Sequence, residues 1–195
     1  MIFAGAKNIM TDKKSVNNPI SVSRRRLLKA SLAGSVLAVA PLSGVWAANE
    51  RRLSLYNLHT GERVSQPYWM GGEYLPESLS AINNVLRDHR SGEVYPMDPG
   101  LLDLLSALQQ RVGSRSGYEV ISGYRSPASN AMLNKASSGV AKRSLHMQGK
   151  AIDIRLPGTR LAALHGAAKE MKSGGVGLYT ASNFIHVDTG NVRYW

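Results

Sequence analysis

Cysteine is absent from the 195-residue sequence. Its absence excludes disulfide bonds, thiolate metal sites and a cysteine nucleophile. Histidine, aspartate and glutamate remain as the strong protein ligands, so any catalytic metal must be held by nitrogen and oxygen atoms. Long hydrophobic runs are also lacking. The most apolar stretch, residues 30–40, is about half of the roughly 20 residues that cross a bilayer, and it contains Gly34 and Ser35. The sequence therefore does not predict a permanent transmembrane helix.

Acidic residues are few, with 13 Asp and Glu against 24 Lys and Arg, which gives a net charge of +11. The excess is uneven. Residues 1–47 hold seven of the bases and one of the acids, which leaves residues 48–195 with a net charge of +5. This mild excess does not indicate a nucleic-acid binder. With 43% hydrophobic and 19% charged residues, the composition excludes disorder over the whole chain, and the length predicts one compact domain.

Residues 21–47 have the three-part layout of an export signal, with a basic start, an apolar middle and small residues up to Ala47. Within it, residues 23–29 read S-R-R-R-L-L-K and resemble the twin-arginine export motif, with Leu27 in place of phenylalanine. A basic nucleic-acid tail is the alternative, but such a tail would not be followed by an apolar stretch and a cleavage site. We therefore expect residues 1–47 to be an N-terminal extension and twin-arginine signal peptide, and the mature protein to be periplasmic.

The remainder, residues 48–195, alternates strand-like and helix-like patterns. Asp98 and Pro99 are a typical helix start, because aspartate caps free N–H groups and proline suits the first helical position. The predicted strands are 52–58, 118–122, 150–154, 176–179, 184–188 and 192–195, and the predicted helices are 76–89, 99–112, a short one opening at 126–127, and 157–171. This order predicts an α+β fold, a single compact domain whose central antiparallel sheet is flanked by helices.

Two polar groups lie on the later predicted strands. His146 precedes Asp153 by seven residues, and Asp153 stands between two isoleucines on a predicted core strand. A buried carboxylate needs a partner, which a metal or an arginine would supply. His186 and Asp188 lie two apart on another strand, so their side chains point to the same side. The spacing alone leaves open a metal site or histidines that simply satisfy hydrogen bonds.

These residues resemble a known motif, S-x-H-x-x-G-x-A-x-D, of the zinc D-Ala-D-Ala peptidases and their lysostaphin-type and murein endopeptidase relatives. Every fixed position is filled, by Ser144, His146, Gly149, Ala151 and Asp153. Together with S-G-Y-R-S at 122–126, G-V-G-L-Y at 175–179 and H-V-D-T-G at 186–190, the chain resembles the murein endopeptidase K branch of that family. The resemblance covers essentially all of residues 48–195.

The resemblance implies a zinc peptidase domain, residues 48–195, with the zinc site on the sheet. Its metal ligands would be His146, Asp153 and His186, with a fourth position open to water. It also implies hydrolysis of peptide cross-links in peptidoglycan, between diaminopimelate residues or from D-Ala to diaminopimelate. Cross-linked stem peptides would then be the substrate, and the twin-arginine machinery a partner during export.

Many relatives place a glutamate three residues, or a histidine two residues, before the final ligand to act as general base. Asn183 and Phe184 stand there instead. Asp188 is the substitute candidate because it shares a strand face with His186, and its alternative role is to orient that ring. Arg125 is a candidate to hold a substrate carboxylate or a developing oxyanion, with a structural ion pair as its alternative.

Two other functions remain compatible with the sequence. A carboxypeptidase that trims terminal D-Ala would use the same zinc chemistry, and a wall-binding domain without activity would explain the missing base. The aromatic segment 66–74 predicts either a wall for the substrate or packed cover for the core.

Overall fold

The computed structural model describes residues 50–137 and 139–195. The predicted N-terminal extension and signal peptide, residues 1–47, lie outside the described residues. Across the part that is described, no helix is both long and apolar enough to span a bilayer.

Eight strands and four helices make up the described part of the chain. The strands are β1 (Glu50–Asn57), β2 (Arg63–Met70), β3 (Glu73–Tyr74), β4 (Tyr118–Ser122), β5 (Ala151–Arg155), β6 (Gly175–Tyr179), β7 (Phe184–Asp188) and β8 (Arg193–Tyr194). The helices are α1 (Pro76–Val85), α2 (Pro99–Arg111), α3 (Pro127–Ala136) and α4 (Leu161–Met171), and a 3₁₀ turn spans Leu145–Gln148. The α+β class predicted from the sequence is confirmed.

All eight strands form one sheet in the order β3-β2-β1-β4-β5-β7-β6-β8. The sheet is mixed, so the expectation of an antiparallel sheet is wrong for two of its pairs, β1 with β4 and β6 with β8. A parallel pair needs a long crossover, and the segment with α1 and α2 supplies one between β1 and β4. At the other edge the chain reverses twice, from β6 to β7 and from β7 to β8, and β8 therefore runs parallel to β6.

Helix α2 shows how the sequence pattern becomes packing. Asp98 caps it, since its side chain accepts the backbone N–H of Gly100 at 2.9 Å, and Pro99 takes the first helical position. Its apolar face contacts β1 and α4. The fully buried leucines of this face are Leu101, Leu102, Leu105 and Leu108. Burial of each contributes on the order of 1.5–3 kcal/mol, so this helix anchors the core beside the sheet.

Two predicted helices are shorter than expected for local reasons. Helix α1 ends at Val85 because its last carbonyl accepts the side-chain N–H of buried Asn57 at 2.8 Å, which ties the helix end to β1. Helix α4 begins only at Leu161, after a turn in which Gly158 has a φ of +81°. Glycine adopts this left-handed conformation at little cost, and the turn therefore interrupts the predicted helix.

The aromatic segment 66–74 forms most of β2 and all of β3, which the periodicity did not predict. Tyr68 is fully buried and donates to Asp103 Oδ1 at 2.9 Å. Trp69 packs against the same core. None of the described residues of this segment lines the cleft discussed below. The segment therefore covers the core, the second of the two roles that the sequence left open.

Candidate metal centre and cleft

Three side chains far apart in the sequence meet at the middle of the sheet. Asp153 on β5 and His186 on β7 are direct partners across an antiparallel pair, and His146 lies in the 3₁₀ turn before β5. All three are buried and together form a group that could hold a metal ion. Two of the candidate ligands therefore lie on the sheet, and the third lies in the turn just before β5 begins.

The spacing of the three ligand atoms suits a small tetrahedral ion. His186 Nδ1 lies 2.9 Å from Asp153 Oδ1 and 3.2 Å from His146 Nε2, and the third separation, His146 Nε2 to Asp153 Oδ1, is 3.4 Å. Ligands bound to zinc at its usual distances are about 3.4 Å apart in a tetrahedron. The nitrogen and oxygen donors thus match zinc in type and number, and their separations lie within about 0.5 Å of this spacing.

His146 is set in place by its own turn. Ser144 caps the 3₁₀ turn by accepting the N–H of His146, and Gly149 ends it with a φ of +65°. The Nδ1 atom lies 2.7 Å from the carbonyl oxygen of Gly123. Because a carbonyl can only accept, this contact places the proton on Nδ1 and leaves the Nε2 lone pair facing the other two ligands.

Asp188 fixes the tautomer and the orientation of the His186 ring. Its Oδ2 lies 2.9 Å from His186 Nε2, which places that proton on Nε2 and turns Nδ1 toward the group. Asp188 is fully buried and also accepts from the N–H groups of Gly175 and Gly190 and from Arg193. Burial alone would raise the pKa of Asp188, but these hydrogen bonds hold it well below its usual range.

Burial and hydrogen bonding also have opposite effects on the pKa values of the candidate ligands Asp153 and His186. Burial would raise the pKa of Asp153, yet the adjacent His146 and His186 hold it well below its usual value. Burial would lower the pKa of His186, but its hydrogen bonds to Asp153 and Asp188 raise it overall. Without a metal, the group therefore retains an anionic Asp153 that attracts positive charge, which is the electrostatic condition for binding a cation.

Arg125 follows β4 and lies beside the metal group. Its backbone N–H donates to the carbonyl of His146, and its guanidinium NH2 lies 3.7 Å from Asp153 Oδ2. The guanidinium also donates weakly to Ser122 and Asn130, and its Nε is buried without a hydrogen-bond partner among the described residues. Burial lowers the pKa of Arg125, and the charge of Asp153 only partly opposes this effect.

A cleft of about 370 Å³ opens onto the three ligands. Of the sequence candidates, it brings together Arg125, Ser144 and the metal group. Asp188 does not line it, because it lies behind the ring of His186. Several residues that line the cleft were not predicted from the sequence, namely Arg143, Tyr179, Arg193 and Trp195. Arg193 lies on β8 and Trp195 directly follows it, so both reach the cleft through the pairing of β8 with β6, which periodicity cannot indicate. Tyr179 lay within the quoted G-V-G-L-Y segment.

The two positions where relatives carry a base also differ in the structure. Phe184 lines the cleft and stacks on Tyr179, but its ring accepts no proton. Asn183 does not line the cleft and lies in the turn before β7. Among the described residues, Asp153 is the only one with a side-chain carboxylate that lines the cleft.

The chain is similar to known proteins over most of its length. Residues 45–195 match the family described as "Peptidoglycan L,D-endopeptidase MepK". The protein of that name from Escherichia coli strain K12 is 40% identical over 176 residues, which cover 89% of this chain and 97% of the relative. The "Probable peptidoglycan L,D-endopeptidase MepK" of Haemophilus influenzae is 40% identical over 182 residues, 91% of this chain and 98% of the relative. No solved structure matched the chain.

Proposed function

Because this chain belongs to the peptidoglycan L,D-endopeptidase MepK family and is a murein peptidase, we propose that it uses zinc to cut wall cross-links. The carrying observation is the arrangement of His146, Asp153 and His186, whose ligand atoms all lie within 4.8 Å of one another and can share one ion. A wall-binding domain without activity, one of the alternatives compatible with the sequence, is set aside because the chain is a peptidase.

The three ligands leave one side of the site open to the cleft, as catalytic zinc sites do. When bound, zinc polarises the scissile carbonyl and lowers the pKa of a water molecule. The protein contributes the orientation of its ligands. The carbonyl of Gly123 fixes His146, and Asp188 fixes His186, so the two rings turn Nε2 and Nδ1 toward a shared point beside Asp153.

Of the two roles that the sequence leaves open for Asp188, we propose the orientation of His186. Its contact is with Nε2, on the side of the ring away from the other ligands. Its oxygens are already engaged by Gly175, Gly190 and Arg193. A general base must reach the water from which it takes a proton, and these contacts hold Asp188 away from the cleft.

Arg125 combines its two candidate roles. Its guanidinium balances the charge of Asp153 at 3.7 Å, and it also lines the cleft where substrate must lie. A guanidinium in this position binds a substrate carboxylate or carbonyl oxygen through charge-assisted hydrogen bonds. We propose that Arg125 holds the substrate beside the metal group.

The charges around the cleft favour an anionic peptide. Three arginines line it, Arg125, Arg143 and Arg193, against Asp153 as the only lining side-chain carboxylate in the described part of the chain. A cross-link between diaminopimelate residues joins an L-centre carbonyl to the amine of a D-centre that carries a free carboxylate. The relatives are named L,D-endopeptidases, and we propose this bond as the main substrate, with the D-Ala to diaminopimelate bond as a further one.

The test is mass spectrometry of purified cross-linked muropeptides after incubation with residues 48–195. We expect monomers to appear with zinc and not after chelation, and their stem lengths identify the bond that was cut. Loss of terminal D-Ala alone would instead support the carboxypeptidase alternative. Cleavage that persists at full rate in a chelated, metal-free protein would contradict zinc dependence.

A matched pair of variants localises the metal. His186→Ala should lose bound zinc and activity together. His165→Ala is the control, because His165 lies on α4 and does not line the cleft. Equal zinc content in both variants would contradict the assignment of His186 as a ligand.

We also propose that residues 1–47 direct export to the periplasm by the twin-arginine pathway, on the basis of the S-R-R-R-L-L-K motif. Replacement of Arg24 and Arg25 by lysine should retain the protein in the cytoplasmic fraction. Arg26→Lys is the matched control, because the motif leaves that position unspecified. Unchanged fractionation of the double variant would contradict this route.

A further inference from the structure

Tyr179 lies on the same face of the sheet as the metal group. Strand β6 pairs with β7 so that Gly177 faces His186 and Tyr179 faces Phe184. Alternate residues of a strand share a face, so Tyr179 projects beside Gly177 on the face that carries His186. The side chain lines the cleft together with Arg125 and the candidate ligands.

Trp195 fixes the phenol of Tyr179. Its indole lies over Gly177, where an added Cβ would be 2.5 Å from Cε2 of the ring, and its centroid is 5.2 Å from that of His186. The indole Nε1 donates to the Tyr179 hydroxyl at 2.9 Å. On the other side, Phe184 stacks on the Tyr179 ring with centroids 4.6 Å apart. The phenol is thus held on both its oxygen and its ring.

This contact decides what the hydroxyl can still do. An indole N–H only donates, so the Tyr179 oxygen is the acceptor and keeps its own proton. No acceptor for that proton is found among residues 50–137 and 139–195. Tyr179 therefore presents a positioned O–H donor in a cleft where a carbonyl oxygen must become negatively charged during hydrolysis.

The other cleft donor is partly committed. The Arg125 guanidinium already contacts Asp153, Ser122 and Asn130. It is also buried, with its side chain 11% exposed, which restricts the directions in which it can reach substrate. A second donor in the same cleft would complete the stabilisation of a developing oxyanion, which commonly uses more than one hydrogen bond.

We propose that Tyr179 is a catalytic residue whose O–H donates a hydrogen bond to the carbonyl oxygen of the scissile peptide as negative charge develops. No covalent bond to Tyr179 forms, and its proton stays on the phenol. The inference rests on the proposed function, because it concerns the same cleft and the same reaction.

Tyr179→Phe tests the inference, since it removes the hydroxyl and keeps the stacked ring. We expect kcat on cross-linked muropeptides to fall about 100-fold, as for loss of other oxyanion donors, with KM nearly unchanged. A second readout is calorimetric titration with a phosphinate analogue of the cross-linked peptide. The variant should lose affinity for the phosphinate by a similar factor and retain its affinity for the product peptide.

Two controls separate donation from positioning. Trp195→Phe removes the indole donor and keeps an aromatic ring, so it should reduce kcat less than Tyr179→Phe does. Tyr194→Phe removes a hydroxyl that donates to Lys169 outside the cleft, and it should leave activity unchanged. Wild-type kcat and phosphinate affinity in Tyr179→Phe would overturn the inference, and so would a Trp195→Phe variant that reproduces its full loss.

Failure of the proposed function is seen separately. Wild-type protein that cleaves cross-links without zinc, or binds no zinc, would contradict that proposal. The phosphinate titration of wild type against Tyr179→Phe still decides the role of the hydroxyl, because it compares the two proteins at equal metal content.

Discussion

His186 Nε2 lies 2.9 Å from Oδ2 of Asp188, two residues further along the same strand. The opposite ring nitrogen, Nδ1, lies 2.9 Å from Asp153 on the neighbouring strand. One imidazole therefore joins a buried, fully hydrogen-bonded carboxylate to the candidate metal group. The strand geometry makes this possible, because residues two apart project to the same side. Arg193 completes the arrangement by pairing with Asp188 at 2.7 Å.

Asp188→Asn should weaken zinc binding. The amide can donate to Nε2, which favours the tautomer whose proton blocks Nδ1, and it loses the ion pair with Arg193. Loss of such a supporting partner typically costs about 10–100-fold in metal affinity. We expect this loss in a competition titration against a chelator, with activity recovering at high zinc. A variant that holds stoichiometric zinc and has no turnover would instead support the general-base role.

Gly177→Ala should displace the Trp195 indole, since the new Cβ would lie 2.5 Å from its Cε2 atom. Displacement of a positioning wall by about 1 Å can cost on the order of 100-fold in rate, and we expect kcat/KM to fall about 10–100-fold with zinc retained. The indole N–H signal in a ¹H–¹⁵N spectrum should shift as the contact with Tyr179 is lost.

The matched control for that variant is Gly166→Ala on α4, where an added Cβ meets nothing within 4 Å. Alanine is the better helix former, so this variant should gain up to about 1 kcal/mol in unfolding free energy and keep full activity. Equal activity losses in the two variants would show that the effect at Gly177 is not specific to the indole.

Gly149→Ala should be strongly destabilising. Gly149 has a φ of +65°, and an added Cβ would overlap the backbone carbonyl oxygen of Pro96. Gly158 has a φ of +81° with open space around it, so Gly158→Ala reports the backbone strain alone. In urea unfolding we expect losses of about 1 kcal/mol for Gly158→Ala and about 3 kcal/mol for Gly149→Ala. Equal losses would contradict the clash with Pro96.

Stability should fall as the pH drops from 7 to 5, in part through His89. Burial, followed by the nearby charge of Arg90, lowers the pKa of His89 to about 4. The adjacent His59 and the more distant charge of Arg125 also lower the pKa of His89, whereas the charge of Asp88 raises it. The unfolded chain titrates near its ordinary pKa of about 6.5 and therefore binds more protons in this interval, which favours unfolding as the pH falls.

Titration of this partly exposed ring should lower the free energy of unfolding at pH 5 by about 1 kcal/mol relative to pH 7, after allowance for solvent screening. His89→Gln removes it, so urea midpoints at pH 7 and pH 5 should differ less in the variant than in the wild type. The comparison isolates His89, since other titrating groups are common to both proteins. If the urea midpoints of the wild type and of His89→Gln fall by the same amount between pH 7 and pH 5, the lowered pKa of His89 would be contradicted.

Sequence patterns predicted elements whose signals are local. Strand β4 matches the predicted 118–122, and helix α2 begins at Pro99 as its cap indicates. Sheet order was not predictable, because the parallel pairing of β1 with β4 depends on how two helices pack across the sheet. The same limit applied to the cleft. His146, Asp153 and His186 were found through a motif, whereas Trp195 reaches the site only through the pairing of β8 with β6.

The direct pairing of Asp153 with His186 across β5 and β7 has a consequence for how the protein matures. A slip of one residue between these strands would turn one of the two side chains to the opposite face and abolish the group. His186 follows His146 by 40 positions in the sequence, and the two side chains meet only when β7 pairs with β5. A nascent polypeptide can therefore assemble this group only after β7 has been synthesised and has paired in register with β5, so metal uptake would mark a correctly paired sheet.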